Sequence, residues 1–247
     1  MLCSHLRTPG FFWPNVFWIV LLVMLSALPA RAEIPAEEQT PDFLQGATLK
    51  SVSAIDVLPQ WKRILTDYYQ NLENDKTCAY APQTCSSKPV QLWQKFIAGI
   101  AYQPPLQKIQ SVNGWINRWP YKQDNWIYNK ADYWADIHEF LQLSGDCEDF
   151  AIAKYLTLRQ LGIPAESMWI AIAYDIYSGT DHAFLIVRYD GQTLVLESRD
   201  NTIKAENHSR RYRPHFLFNE KNVWVFEKPV MASTIREGQD NAIPANR

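Results

Sequence analysis

Residues 144–165 read SGDCEDFAIAKYLTLRQLGIPA, and they predict a helix with a cysteine in its first turn. The apolar positions Phe150, Ile152, Ala153, Leu156, Leu158 and Leu161 recur at near-helical spacing, and Gly162 and Pro164 stop the run. Cys147 stands at its start among three carboxylates, Asp146, Glu148 and Asp149. The positive end of the helix dipole and the unpaired N–H groups of the first turn favour a thiolate there. The three acids oppose it, because like charge disfavours ionisation. A hard cation such as Ca2+, held through those oxygens, would cancel the conflict. A purely structural reading is also open, in which Asp146 caps the helix, the other acids favour its N-terminus and Cys147 fills the core.

At the amino terminus, Arg7 precedes an apolar run over residues 16–28, and Ala30-Arg31-Ala32 is an A-x-A cleavage site. Residues 1–32 are therefore expected to be a secretory signal, with an uncleaved anchor as the structural alternative. No later stretch approaches membrane-spanning length. Without the signal the chain carries 22 Lys and Arg against 26 Asp and Glu, a formal charge of -4, which does not resemble a nucleic-acid binder. The remaining residues, rich in aromatics, suffice for one buried core, expected over 33–228 with a disordered polar tail at 229–247. Export to an oxidising compartment, the periplasm, also sorts the cysteines. Cys78 and Cys85 lie close together in a polar segment and suggest a local disulfide, with free surface thiols as the alternative, while Cys147 is left as the odd thiol.

The polar stretch 33–53 reads as a mobile entry. Helical patterns follow over 57–72 (Leu58, Trp61, Ile64, Leu65, Tyr68, Leu72), over the run from Leu92 to Ile100, and over 106–119. An aromatic connection with Trp119, Trp126, Tyr128 and Tyr133 leads into the cysteine helix; most of its rings read as core, and one or two could wall a groove beside Cys147. Beyond Pro164 the runs become short and β-prone: 168–174, then 183–189 and 193–197 about an Asp190-Gly191 turn, then 215–218 and 223–226. Helices first and strands afterwards give an α+β domain with an antiparallel sheet.

A nucleophilic thiol needs a base, and the base needs an orienting group. His182 opens the strand DHAFLIVRY, and the hairpin at Asp190-Gly191 returns LVLESRDN to the same end of the sheet. A carboxylate from that stretch, Glu197 or Asp200, can therefore reach the imidazole. Taken alone, His182 would read as an ordinary strand-edge histidine.

The run ADYWADIHEFLQLSGDCEDFAIAKYLTLRQLGIPA, followed by HAFLIVRYDGQTLVLES, resembles the bacterial transglutaminase-like cysteine proteinases. The resemblance implies a papain-like, transglutaminase-type core and a Cys-His-Asp triad. It also implies Ca2+ held by the acids flanking the cysteine, here Asp146 and Glu148, with Asp149 as a further ligand. Members of that family cut a large surface adhesin near its N-terminus, at paired alanines, in the periplasm. An inner-membrane cyclic-di-GMP receptor restrains them. The family motif VLDN reads VLES here, so Glu197 stands fifteen residues after His182, where the resemblance expects aspartate. Glutamate can still accept the imidazole N–H, and Asp200 could take the role after a local bulge. Two further readings use the same residues: an acyl-transferase that passes the thioester to an amine, and a catalytically weak binding protein.

Overall fold

In a computed structural model, which describes residues 48–53, 57–205 and 211–227, proline sits in the first turn of each of the first three helices. These are α1 (Pro59–Cys78), α2 (Lys88–Ile100) and α3 (Pro105–Ile116). The ring presets φ for a helix where no N–H partner is needed. Ser87 caps α2 by accepting from the Val90 amide. Two short helices follow, α4 (Asp124–Ile127) and α5 (Ile137–Leu143), before the cysteine helix α6 (Cys147–Gln160). Cys78 and Cys85 are joined in a disulfide across the turn between α1 and α2. The signal segment 1–32, most of the polar entry and the tail 229–247 lie outside the described residues.

The strands are β1 (Thr48–Ser53), β2 (Met168–Asp175), β3 (Thr180–Tyr189), β4 (Gln192–Leu196), β5 (Lys204–Ala205), β6 (Tyr212–Phe218) and β7 (Asn222–Glu227). They form one sheet in the order β1-β7-β6-β2-β3-β4-β5, with every pairing antiparallel. The fold is thus α+β. The end of the expected mobile entry is a correction: residues 48–53 form the edge strand β1 on β7, a partner so distant in sequence that no local pattern announces it.

Alternation along β2 and β3 divides the core. Met168, Ile170, Leu185 and Val187 face the helices, whereas Trp169, Ala171, Phe184 and Ile186 form a second cluster on the opposite face with Tyr212 and Trp224. Both faces being covered, the strands read as nearly unbroken apolar runs. Helix α6 is enclosed: every residue from Asp149 to Leu158 is buried. It packs on β3 and β2 and against α3 and α5. A helix apolar around its whole circumference is one buried on all sides. Trp61 of α1 closes the core, edge-on to Tyr155 of α6 at 5.4 Å and Phe218 of β6 at 5.3 Å, with its indole N–H donating to the Asn219 carbonyl at 2.9 Å.

Candidate active site

The turn into α6 is shaped by close packing around Gly145. A Cβ on that residue would lie 2.0 Å from Asp149 Oδ2, so no side chain fits without displacing the carboxylate. Ser144 adopts φ 73°, and its hydroxyl donates to the Pro120 carbonyl. The Lys122 amide donates to the Gly145 carbonyl at 2.8 Å. Buried Asp149 accepts from the Asp146 amide at 3.1 Å and from the Ala135 amide at 2.7 Å. One acid of the GDCED motif therefore closes the helix N-terminus and fastens it to the preceding loop.

Cys147 follows in the first turn. Its thiol donates to Glu148 Oε2 at 3.3 Å, and the amide of Ala183 on β3 donates to its sulfur. Burial, then the Glu148 carboxylate, push the thiol pKa well above its ordinary value, against the smaller pull of the Ala183 amide. In the contest between helix start and flanking acids, the acids and burial win for the metal-free chain.

The β3–β4 hairpin supplies the other two groups. Asp190 and Gly191 turn it with φ 50° and 71°, the positive pair a two-residue turn of type I′ requires. Leu185 then pairs with Leu196, which returns Glu197 toward His182. Their side chains meet at 2.6 Å, His182 Nε2 to Glu197 Oε2, both buried. The other carboxylate oxygen accepts from the Tyr212 hydroxyl at 2.5 Å. The backbone carbonyl of Glu197 accepts from Lys154 Nζ of α6 at 2.8 Å and Asn117 Nδ2 at 2.9 Å. Asp200 is placed otherwise: its carboxylate takes the Thr202 amide at 2.8 Å, and its carbonyl is held by Asn113 and Asn117. Arg199 Nη2 lies 3.2 Å from His182 Nδ1.

Beside the thiol lies a carboxylate cluster larger than the sequence suggested. Asp146, Cys147 and Glu148 place one ligand atom each within 4.8 Å of one another, as do Asp124, Asp146 and Asp149, and Asp124, Asp132 and Glu148. Burial, with Glu148 next, raises Asp146 to about 8; burial also raises Asp124 to about 6 against the Tyr133 amide. Asp124 Oδ1 and Asp146 Oδ1 are buried without a hydrogen-bond partner. Crowded carboxylates with orphaned oxygens are a donor set suited to a hard cation such as Ca2+. Asp149 belongs to the group, yet both its oxygens already take amides, so it is better suited to positioning. Asp124 and Asp132 escaped the sequence reading because they sit in a stretch dominated by its aromatics. Of those, Trp134 is buried, whereas Tyr121 is 51% and Trp126 84% exposed, and Tyr121 bridges to Gly145 beside the thiol.

The profile described as bacterial transglutaminase-like cysteine proteinase, BTLCP, matches residues 72–226, a span that contains the cysteine, the histidine and the glutamate. The chain belongs to that family. Among solved structures it is similar to Legionella pneumophila LapG, at 27% identity and TM-score 0.54, covering 62% of this chain and 86% of that one. The calcium-bound form of that protein matches at 26% identity and TM-score 0.54 over 61% and 87% of the two chains. The EGTA-treated form matches at 27% and 0.54 over 62% and 84%. No curated protein matches the chain. The matched span takes in Cys147 at the start of α6 and the His182–Glu197 pair of the β3–β4 hairpin.

Proposed function

We propose that the protein is a calcium-dependent cysteine endopeptidase that cuts a large surface adhesin near its N-terminus in the periplasm, controlling attachment in biofilms. The observation that carries this reading is the grouping of Cys147, at the start of α6 and touching the Ala183 amide, with His182 bonded to Glu197. The periplasmic assignment rests on the 1–32 segment. Restraint by an inner-membrane cyclic-di-GMP receptor is part of the same proposal and rests on the sequence resemblance alone, while the calcium-bound and EGTA-treated forms of the Legionella relative support the metal.

In the reaction, Glu197 holds His182 through Nε2, leaving Nδ1 to accept the thiol proton of Cys147. The sulfur attacks the scissile carbonyl carbon, whose π pair moves to oxygen, and N–H groups at the start of α6 hold the oxyanion. Collapse breaks the C–N bond, and His182 returns the proton to the leaving amine. A water deprotonated at Nδ1 then attacks the thioester, releasing the acid and restoring the thiol. Calcium, held by Asp124, Asp146 and Glu148, would supply positive charge that offsets the acids beside the sulfur.

Incubation with an N-terminal adhesin fragment tests this reading. Cleavage is expected with calcium, and none with Cys147→Ala or in excess EGTA. Turnover that survives either loss overturns the cysteine or the calcium part respectively.

A further inference from the structure

We infer that Arg199 is a latch on His182, a positioning residue that occupies ring nitrogen Nδ1 and must withdraw before that nitrogen can serve as a base. The inference rests on the peptidase reading of Cys147 and His182. A guanidinium only donates hydrogen bonds. Its approach to His182 Nδ1 at 3.2 Å therefore uses the lone pair on that nitrogen. The ring is then neutral, with its proton on Nε2, directed at Glu197 Oε2 at 2.6 Å. That is the correct tautomer for catalysis, but with its working atom occupied.

The surroundings let the latch move. The Arg199 side chain is 43% exposed, and its Nη1 lies 3.5 Å from Asp175 Oδ2 at the end of β2. Asp175 is fully buried and already bound by Arg211, Nε at 3.0 Å and Nη2 at 2.7 Å. A guanidinium leaving the imidazole thus keeps a carboxylate beside it, and the swing needs only side-chain rotation. Arginine fits the role through its fork, one arm on the ring nitrogen and one toward the acid; lysine, a single point donor, cannot span both.

The test is the iodoacetamide alkylation rate of Cys147 in the calcium-loaded protein, followed on the Cys147 peptide by mass spectrometry, with ring 15N spectra of His182. Arg199→Met is expected to speed alkylation about tenfold, the scale of one hydrogen bond to a charged donor, and to shift the Nδ1 resonance toward that of an unbonded acceptor. Arg199→Lys, which keeps the charge without the fork, should fall on the methionine side. An unchanged or slower rate in Arg199→Met means that the guanidinium does not occlude the ring nitrogen, and a wild-type rate in Arg199→Lys means that charge without the fork sets the rate; either outcome overturns the latch. Neither readout requires peptide cleavage. Faster alkylation without cleavage of any peptide sinks the peptidase reading alone, whereas wild-type cleavage with no Arg199→Met effect sinks the latch alone.

Discussion

Lys154 Nζ lies 2.8 Å from the backbone carbonyl of Glu197, so the helix that carries the thiol is fastened to the strand end that carries the carboxylate partner of His182. The lysine is fully buried, and burial lowers its pKa from 10.5 to about 7 despite the nearby Glu197 charge.

A folded pKa below the unfolded one means that the unfolded chain binds more protons between about pH 7 and 10.5, so this group makes stability rise with pH across that window. Lys154→Met is expected to flatten the rise in Tm against pH while leaving the fold intact. The Glu197 carbonyl loses its anchor in that variant, and kcat/KM should fall by up to about a hundredfold, the scale of a small misplacement. A pH slope equal to wild type would refute the assignment.

Tyr212 and His182 each hold one oxygen of Glu197. Tyr212→Phe removes that hydrogen bond to a buried carboxylate, with an expected cost of about 1–3 kcal/mol and a lower kcat. Glu197→Asp, one methylene shorter, should be unable to serve both partners. The double variant is therefore expected to lose less than the sum of the single losses, and strictly additive effects in a denaturation and kinetic cycle would argue against the shared clamp.

His138 of α5 meets Asp75 of α1 at 2.8 Å. Burial lowers the imidazole pKa, but the Asp75 bond and charge outweigh it, and the net shift is upward. A raised histidine contributes stability in full below its unfolded value near 6.5, and that contribution is lost as pH rises through the folded value. Between pH 5 and 9 the margin in Tm of wild type over Asp75→Asn should therefore shrink as pH rises, and a margin independent of pH would refute the pairing.

Gly145→Ala is expected to destabilise by about 1–3 kcal/mol as an overpacked site, because the new methyl meets Asp149. Since Asp149 also closes the start of α6, calcium affinity measured by calorimetry should fall with stability. A variant as stable as wild type would show that the turn relaxes.

The most legible parts of the chain were those set by local signals. Helix α6 was bounded by Gly162 and Pro164, and the Asp190-Gly191 turn gave the hairpin register that brings Glu197 to His182. Helix α5 was missed, although Asp136 and Glu139 spell the reciprocal cap that the structure shows; its two turns are too short for a periodic pattern. Lys154, Arg199, Tyr212, Asp124 and Asp132 reach the site only through tertiary packing. Lysine is by type a surface residue, and only the enclosure of α6 on all sides accounts for the burial of Lys154.

The order of the strands carries a kinetic meaning. Cys147, His182 and Glu197 fall within α6, β2, β3, β4 and the residues just after, segments that follow one another along the chain, whereas β1 and β7 join residue 48 to residue 227. Closing the short loops costs less chain entropy than closing the long one. The grouping of these three residues is therefore expected to assemble early and the sheet edge to zip on afterwards. Pulse-labelled amides of Ile170 and Leu185 should accordingly become protected before those of Val223 and Trp224.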